Sequence, residues 1–201
     1  MWVFFNKSRF IEMFGDPISN TLSLPIRKLK TLGIWSSGGT PSRNVKSYFL
    51  GNINWYTAGE LNSTYLQGSI EKISTDALQN SAAKLFKKGS LLIGMYDTSA
   101  FKMGILCTDS SANQACANIL PNKEVNIIWL YYALYLKKDY FLSFRRGARQ
   151  KNLNLGLIQE FDIPVPKVET QNLFYKEIIQ INKLKLIAQK QLDFLVGQEN
   201  K

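Results

Sequence analysis

The sequence predicts an α+β protein: a globular domain with a mixed or antiparallel, barrel-like sheet and a few helices, followed by a long helix of the coiled-coil type. Two observations predict this class. Several short strand patterns follow one another between residues 24 and 165, interrupted by single helical segments rather than alternating with them. The segment 169–196 then has nearly uninterrupted helical periodicity. We therefore expect three parts, at residues 1–15, 16–167 and 168–201.

The first part of the chain alternates helix, strand and loop signals. Val3 to Phe14 is predicted as a short helix that Gly15 ends. Alternating basic and apolar residues from 24 to 32 predict a strand with one solvent-facing side. The serine- and glycine-rich segment 36–43 is a predicted loop, and 53–57 is a predicted strand.

The rest of the domain continues this pattern. Ser74 or Thr75 is the expected N-cap of a short helix. Further strands are predicted at 90–96, 102–108, 115–120 and 161–165, and an aromatic-rich helix at 126–144. Trp129 is assigned to the core, whereas Trp55 fits either the core or stacking on a base.

The composition indicates a polyanionic partner. The chain has 25 Lys and Arg against 15 Asp and Glu, a net charge of +10. Nucleic acid is the simplest such partner, although an anionic membrane surface would attract a chain of this charge as well. No apolar run approaches the roughly 20 residues that a membrane span needs, and the start of the chain lacks signal-peptide features. Cys107 and Cys116 have no metal-ligand spacing, so we expect a reducing, cytoplasmic location.

The absence of histidine argues against an enzyme. The sequence has no imidazole base, no histidine-activated nucleophile, no clustered carboxylates and no glycine-rich nucleotide loop. We therefore expect a binding module without cofactor or metal. Two alternatives remain open: a fragment of a DNA-modifying enzyme, such as a nuclease or methyltransferase, and a basic single-strand binder in which Tyr and Trp stack on bases.

A series of short motifs occurs in one order along nearly the whole chain. They are Phe14-Gly15-Asp16-Pro17, Gly38-Gly39-Thr40-Pro41-Ser42, Gly51-Asn52-Ile53-Asn54-Trp55, Ala77-Leu78-Gln79-Asn80-Ser81-Ala82, Asn113-Gln114-Ala115, and Ile163-Pro164-Val165-Pro166 with Gln171. The ordered set resembles one target recognition domain of a type I restriction-modification specificity subunit with its following conserved helix. The segment before Phe14 resembles only the end of the other conserved helix, so the chain corresponds to about half of a subunit.

This resemblance implies a protein that selects a double-stranded DNA sequence for a methyltransferase subunit and, through it, for a restriction subunit, without chemistry of its own. Members usually carry two recognition domains and two helical regions that pack as an antiparallel coiled coil. A chain with one domain is therefore expected to form a homodimer or to pair with a second specificity half. Two symmetric copies would read the half-sites of an interrupted palindrome.

Candidate DNA contacts fall in the predicted loops and turns. The loop at 37–43 combines glycines that allow close approach with donors for phosphate oxygens. The basic run after residue 144 suits both base edges and phosphates, although two arginines before a glycine also suit a helix end. Contacts from the hairpin tips near 96–102 and 111–114 depend chiefly on the resemblance. The candidates are Ser37, Gly38, Gly39, Thr40, Ser42, Arg43, Lys46, Tyr96, Thr98, Lys102, Asn113, Gln114, Arg146, Arg149, Gln150, Lys151 and Asn152.

The terminal helix has an apolar seam at heptad spacing. Its members are Phe174, Ile178, Ile181, Lys185, Ala188, Leu192 and Leu195. Pro164 and Pro166 make the connection between the domain and the helix rigid, so we expect the helix to project from the domain. The alternative is a helix that folds back onto the domain. Lys185 predicts an antiparallel or mixed partnership, since a charged residue in the seam disfavours a simple parallel dimer.

Overall fold

The computed structural model describes residues 2–145 and 152–199; the side chains of 2–5 and of several positions after 184 lie outside this description. Within these ranges the helices and strands are α1 (Trp2–Phe14), β1 (Ile26–Lys28), β2 (Gly33–Ser37), β3 (Ile53–Tyr56), β4 (Tyr65–Leu66), β5 (Glu71–Ile73), α2 (Thr75–Gln79), β6 (Leu91–Gly94), β7 (Met103–Leu106), β8 (Ser111–Ala112), β9 (Cys116–Pro121), α3 (Ile127–Leu136), α4 (Lys138–Leu142), α5 (Leu155–Gln159), β10 (Asp162–Pro164) and α6 (Val168–Glu199). The predicted α+β class is confirmed.

The described strands form three separate sheets. The central sheet has the order β2-β9-β6-β7-β4 and is antiparallel except for the pairing of β4 with β7. A mixed three-stranded sheet has the order β5-β3-β8, and β1 pairs with β10. The prediction of a mixed sheet is therefore confirmed. The prediction of a barrel is wrong, because the strands of the described ranges divide among these sheets and form no closed ring.

The central sheet separates two hydrophobic cores. Leu91 and Ile93 point to the main core, which the helices cover, whereas Leu92 and Leu106 point to a second core shared with β3 and β8. This alternation is the period of two that a strand imposes on its side chains. A third, smaller core forms around Trp55. The central sheet is thus the middle layer, with helices on one face and the small sheet on the other.

The predicted helix ends are confirmed where the signal is local. Gly15 ends α1 in the left-handed region, with a φ of 73°, and its N–H donates to the Ile11 carbonyl at 2.8 Å. The Asp16 carboxylate then accepts the Ile18 N–H at 3.0 Å, and this hydrogen bond lowers the pKa of Asp16. Ser74 caps α2 by accepting the Ala77 N–H at 3.2 Å.

Two predicted elements are shorter than expected. The strand predicted for 24–32 covers only β1, because the chain then turns through a 3₁₀ segment that buries Leu29. The helix predicted for 126–144 divides into α3 and α4 at Lys137, whose Nζ donates to the Asp162 carbonyl at 3.0 Å. After this division Phe141 stacks on Phe161, with ring centroids 4.4 Å apart. In both places burial of an apolar side chain overrides the local pattern.

The first half of α6 packs on its own domain. Phe174 and Ile178 are buried. The centre of the Phe174 ring lies 5.5 to 5.6 Å from the ring centres of Phe10, Phe14 and Tyr132. These two seam residues are therefore occupied within the chain, and the expectation of a wholly projecting helix is wrong for this half. Ile181, also in the seam, is partly buried against the same core.

A buried glutamine fixes the start of α6. Gln171 Nε2 donates to the carbonyls of Pro166 at 2.9 Å and Glu124 at 3.1 Å, and its Oε1 accepts the Asn126 N–H at 2.8 Å. Asn126 in turn caps α3 by accepting the Ile128 N–H at 2.9 Å. One side chain thus joins the proline-rich exit, the start of α3 and the start of α6.

Candidate nucleic-acid interface

Most of the described candidate residues lie in loops that leave the central sheet at the same end. The register pairs Ser37 with Ala117, Gly94 with Cys116, and Ile93 with Met103. Because these pairings are antiparallel, the ends of β2 and β6 and the beginnings of β7 and β9 share one end of the sheet. We call the loops that leave it, at 38–46, 95–102 and 113–115, the loop end. Residues far apart in sequence are brought together there.

Gly38 and Gly39 are buried and hold the first loop in place. Their N–H groups donate to the carbonyls of Cys116 at 3.0 Å and Ala112 at 2.9 Å. A Cβ on Gly39 would collide with the backbone carbonyl of Ala82. The expectation that these glycines allow close approach is correct in kind. However, the approach is to the chain's own backbone, and DNA contact at both glycines stays a prediction.

The polar residues of this loop remain accessible. Ser42 is exposed, and Ser37 and Thr40 are partly exposed. The Thr40 hydroxyl donates to Oε1 of Gln114, which is also exposed. The loop at 38–46 and the loop at 113–115 therefore present hydroxyl and amide groups side by side.

Asn113 shapes its turn. Its Oδ1 accepts the Ala115 N–H at 3.1 Å and the Cys116 thiol at 3.5 Å, and its own N–H donates to the Tyr56 carbonyl at 2.9 Å. Burial raises the pKa of the Cys116 thiol to about 12, so that this thiol stays protonated at neutral pH. In this turn Gln114 is exposed, whereas Asn113 is only partly exposed.

The 95–102 loop adds a second group of candidates. Tyr96 and Thr98 are exposed, and the turn between them is held by Asn152, whose Oδ1 accepts the Asp97 N–H at 3.0 Å. Lys102 Nζ lies 3.4 Å from the Gly59 carbonyl. The structure therefore brings Tyr96, Thr98, Lys102 and Asn152 to the loop end, as a cluster of aromatic, hydroxyl and basic groups.

In the densest basic run, the structure describes Arg145 and Asn152. Arg146, Arg149, Gln150 and Lys151 lie outside the described residues. Directly after them, Leu153 donates its N–H to the Met95 carbonyl at 2.8 Å. Asn152, which ends this run, and Leu153 therefore lie at the loop end.

Arg43 is held by an acidic partner that the sequence did not reveal. Its two terminal nitrogens donate to both oxygens of the Glu71 carboxylate, with Nη2 and Oε2 2.8 Å apart. This pairing lowers the pKa of Glu71 and raises that of Arg43. The two residues are 28 positions apart, and no local pattern signals such a contact. Lys46 lies exposed in the following 3₁₀ turn.

Trp55 and Trp129 both lie in the protein interior. Trp129 is fully buried, as predicted, and Trp55 is buried as well. The Trp55 indole Nε1 donates to the Gly39 carbonyl at 3.0 Å, so that Trp55 helps to hold the loop at 38–46 in place. Base stacking by Trp55 is therefore excluded by its burial in this structure.

The second half of α6 exposes apolar side chains. Leu184 is 64% exposed and Ile187 45% exposed, and Ala188 of the predicted seam is also exposed. The side chains of Lys185, Leu192 and Leu195 lie outside the described ones. An apolar surface on a helix beyond the domain core is typical of a contact with another helix.

Residues 2–145 and 152–199 contain no group of three or more carboxylate or cysteine side chains placed to hold a metal ion. None of the helices in these ranges is long and apolar enough to cross a membrane. Polar loops at one sheet end, a basic composition and a docked terminal helix are together typical of a macromolecular recognition module.

Comparison with known proteins identifies the family. The family model described as the type I restriction modification DNA specificity domain matches residues 25–193. The chain belongs to this family, as the sequence motifs indicated. This membership supports the expectation that the chain is not an enzyme.

Two curated relatives are specificity subunits of type I restriction enzymes. The MjaIX subunit of Methanocaldococcus jannaschii is 28% identical over 154 residues, which are 73% of this chain and 35% of that protein. The EcoR124I/EcoR124II subunit of Escherichia coli is 22% identical over 151 residues, or 72% of this chain and 37% of that protein. The chain thus spans about a third of the length of these relatives.

Solved structures share the fold. The HsdS subunit of Thermoanaerobacter tengcongensis superposes with a TM-score of 0.65 at 15% identity, over 90% of this chain and 43% of that one. The S subunit of M. genitalium gives a TM-score of 0.58 at 14% identity, over 85% of this chain and 42% of that one. The similarity extends over most of this chain and less than half of each solved structure.

Proposed function

We propose that this chain recognises a specific sequence in double-stranded DNA through the loop end of its central sheet. The observation that carries the proposal is the convergence there of Thr40, Ser42, Tyr96, Thr98, Lys102 and Gln114 from three loops. Hydroxyl, amide and basic side chains are the groups that contact base edges and phosphates. The net charge of +10 supplies the attraction to a polyanion.

The proposal extends to the assembly. The relatives are named as specificity subunits of type I restriction enzymes. We propose that this chain directs a methyltransferase subunit and, through it, a restriction subunit to the DNA target. Because one recognition domain reads one half-site, a second copy or a second specificity half supplies the other. The exposed apolar side chains of α6 are the proposed contact.

Selection from a random-sequence duplex pool with the full chain tests the DNA proposal. We expect an enriched sequence, and a single mismatch in it should weaken binding roughly 5- to 150-fold at fixed salt. Fluorescence anisotropy with the enriched duplex, a scrambled duplex and the corresponding single strand measures the preference. Tighter binding of the single strand, or cleavage of the duplex by the isolated chain, would favour the two rival functions instead.

The methylation pattern of a genome that carries this chain with its methyltransferase tests the assembly. A symmetric, interrupted motif is expected if two copies pair. An asymmetric motif would show that a different specificity half reads the second part of the site. Absence of any interrupted motif would contradict the proposed role in a type I complex.

A further inference from the structure

Arg43 is held by a carboxylate of the small sheet and by two aromatic rings. Glu71 binds its two terminal nitrogens, and its guanidinium carbon lies 4.2 Å from the Phe49 ring centre and 5.2 Å from that of Trp55. An arginine at a surface usually samples many rotamers, but this one has both its plane and its direction fixed. The cross-strand pairing of Trp55 with Glu71 places the supporting ring and the carboxylate on regular strands, β3 and β5.

The fixed guanidinium still has donors to offer. Glu71 uses one N–H of each terminal nitrogen, which is two of the five that arginine carries. Three remain. Two of them, Nε–H and the outer N–H of the neighbouring nitrogen, form a parallel pair along the side of the fork. This pair belongs to a side chain that is 54% exposed. It matches the O6 and N7 acceptors of guanine in a major groove.

The net charge of the Arg43–Glu71 ion pair favours base reading over phosphate binding. Arg43 and Glu71 together are neutral, and a carboxylate near DNA repels phosphates. A residue needed only to attract the DNA backbone gains nothing from such a partner. A residue that reads a base gains a fixed geometry, and the carboxylate also penalises a poorly matched approach.

We propose that Glu71 is a positioning residue that holds Arg43 as a base-reading side chain, with guanine as the complementary base. The proposal rests on the proposed DNA function. The loop that carries Arg43 belongs to the loop end, because Thr40 contacts Gln114 and the Gly39 carbonyl accepts from Trp55. Glu71 thereby contributes to specificity without itself contacting DNA.

The test compares the enriched and scrambled duplexes with E71Q, R43A, R43K and the double variant R43A/E71Q. E71Q should weaken binding of the enriched duplex at least roughly fivefold and leave binding of the scrambled duplex unchanged or tighter. R43K keeps the charge but loses the fork, so it should lose discrimination as R43A does. In the R43A background, E71Q should cause no further loss.

E160Q is the matched control. It removes one exposed carboxylate, paired with Lys28 and Lys30 beside β1, and should leave the ratio of the two affinities unchanged. Circular dichroism and melting temperatures establish that every variant is folded. R43A should also leave the slope of log affinity against log salt unchanged, whereas loss of a phosphate contact reduces it by about one.

The outcomes separate this proposal from the one on which it rests. If the wild-type chain does not distinguish the two duplexes, the proposed function is wrong and the positioning role falls with it. If the wild type discriminates and E71Q keeps the full ratio while only its melting temperature drops, the proposed function stands and the positioning role is overturned. Equal losses on both duplexes for R43A would make Arg43 a phosphate contact and would likewise overturn the proposal.

Discussion

At the scale of single residues, the motifs that identify the family mostly support the loops rather than face the solvent. Gly38, Gly39 and Asn113 are bonded to the chain's own backbone, whereas the neighbouring Ser42 and Gln114 are exposed. A specificity protein needs this division. In the proposed function, the scaffold residues keep one geometry, while the exposed residues between them read the bases.

Substitution of Gly39 by alanine tests the structural role of the glycines. The added Cβ would meet the Ala82 backbone, which cannot move aside like a flexible side chain. We expect a loss of about 1 to 3 kcal/mol in the free energy of unfolding, measured by urea denaturation, with weaker DNA binding because the loop carries Arg43. Gly68→Ala is the control, since nothing lies within 4 Å of its Cβ. Equal midpoints for the two variants would contradict this account.

The sequence predicted candidate site residues but not how the fold arranges them. The candidates Thr40, Tyr96 and Gln114 were found from loop chemistry and motif order. Their meeting at one end of the sheet depends on the order β2-β9-β6-β7, which local patterns do not encode. The partner of Arg43 was missed for the same reason, because Glu71 is joined to it only through the fold.

At the scale of elements, the predicted boundaries were correct where the sequence signal is local and wrong where burial of apolar side chains determines where an element ends. Gly15 and Ser74 mark helix ends through their own backbone chemistry, and both were located correctly. The division of the long aromatic helix at Lys137 follows from the stacking of Phe141 on Phe161, which is a long-range contact. The barrel-like sheet was predicted from the succession of short strands and single helices, and this succession does not determine which strands pair.

The ion pair between α1 and α6 gives a pH-dependent prediction. Arg9 donates to both oxygens of Glu177 at 2.6 and 2.9 Å, which lowers the pKa of Glu177 below its usual 4.5. A depressed carboxyl pKa contributes stability above the unfolded value, and this contribution is lost as the pH falls through the folded value. E177Q should therefore lower the urea midpoint at pH 7, and the difference from wild type should shrink below about pH 4.5.

E12Q is the matched control for this prediction. Glu12 pairs with the same arginine, at 2.8 Å, but lies on α1 itself and is more exposed than Glu177. Exposed pairs within one helix contribute little, so E12Q should change the midpoint less. If the E177Q midpoint follows that of wild type at both pH values, the ion pair does not fasten α6 to α1.

At the scale of the whole molecule, α6 has two different surroundings. Its first half is part of the domain, through Phe174, Ile178 and the Gln171 hydrogen bonds. Its second half exposes Leu184 and Ile187, although an isolated helical segment of this length is marginally stable in water without packing. The docked half fixes the direction of the helix, so that any partner bound to the second half has a defined position relative to the loop end.

The double variant L184E/I187E tests whether this second half mediates assembly. At micromolar concentration we expect the wild-type chain to sediment as a dimer and the variant as a monomer, because two buried carboxylates in an apolar contact are strongly unfavourable. L173E is the control: Leu173 is also exposed, at 54%, but lies on the docked half of α6. A monomeric wild type would rule out self-pairing, and a dimeric L184E/I187E variant would place the contact on another surface. A dimer lost in both variants would show that the docked half also takes part, so that one continuous face of α6 joins the two recognition domains.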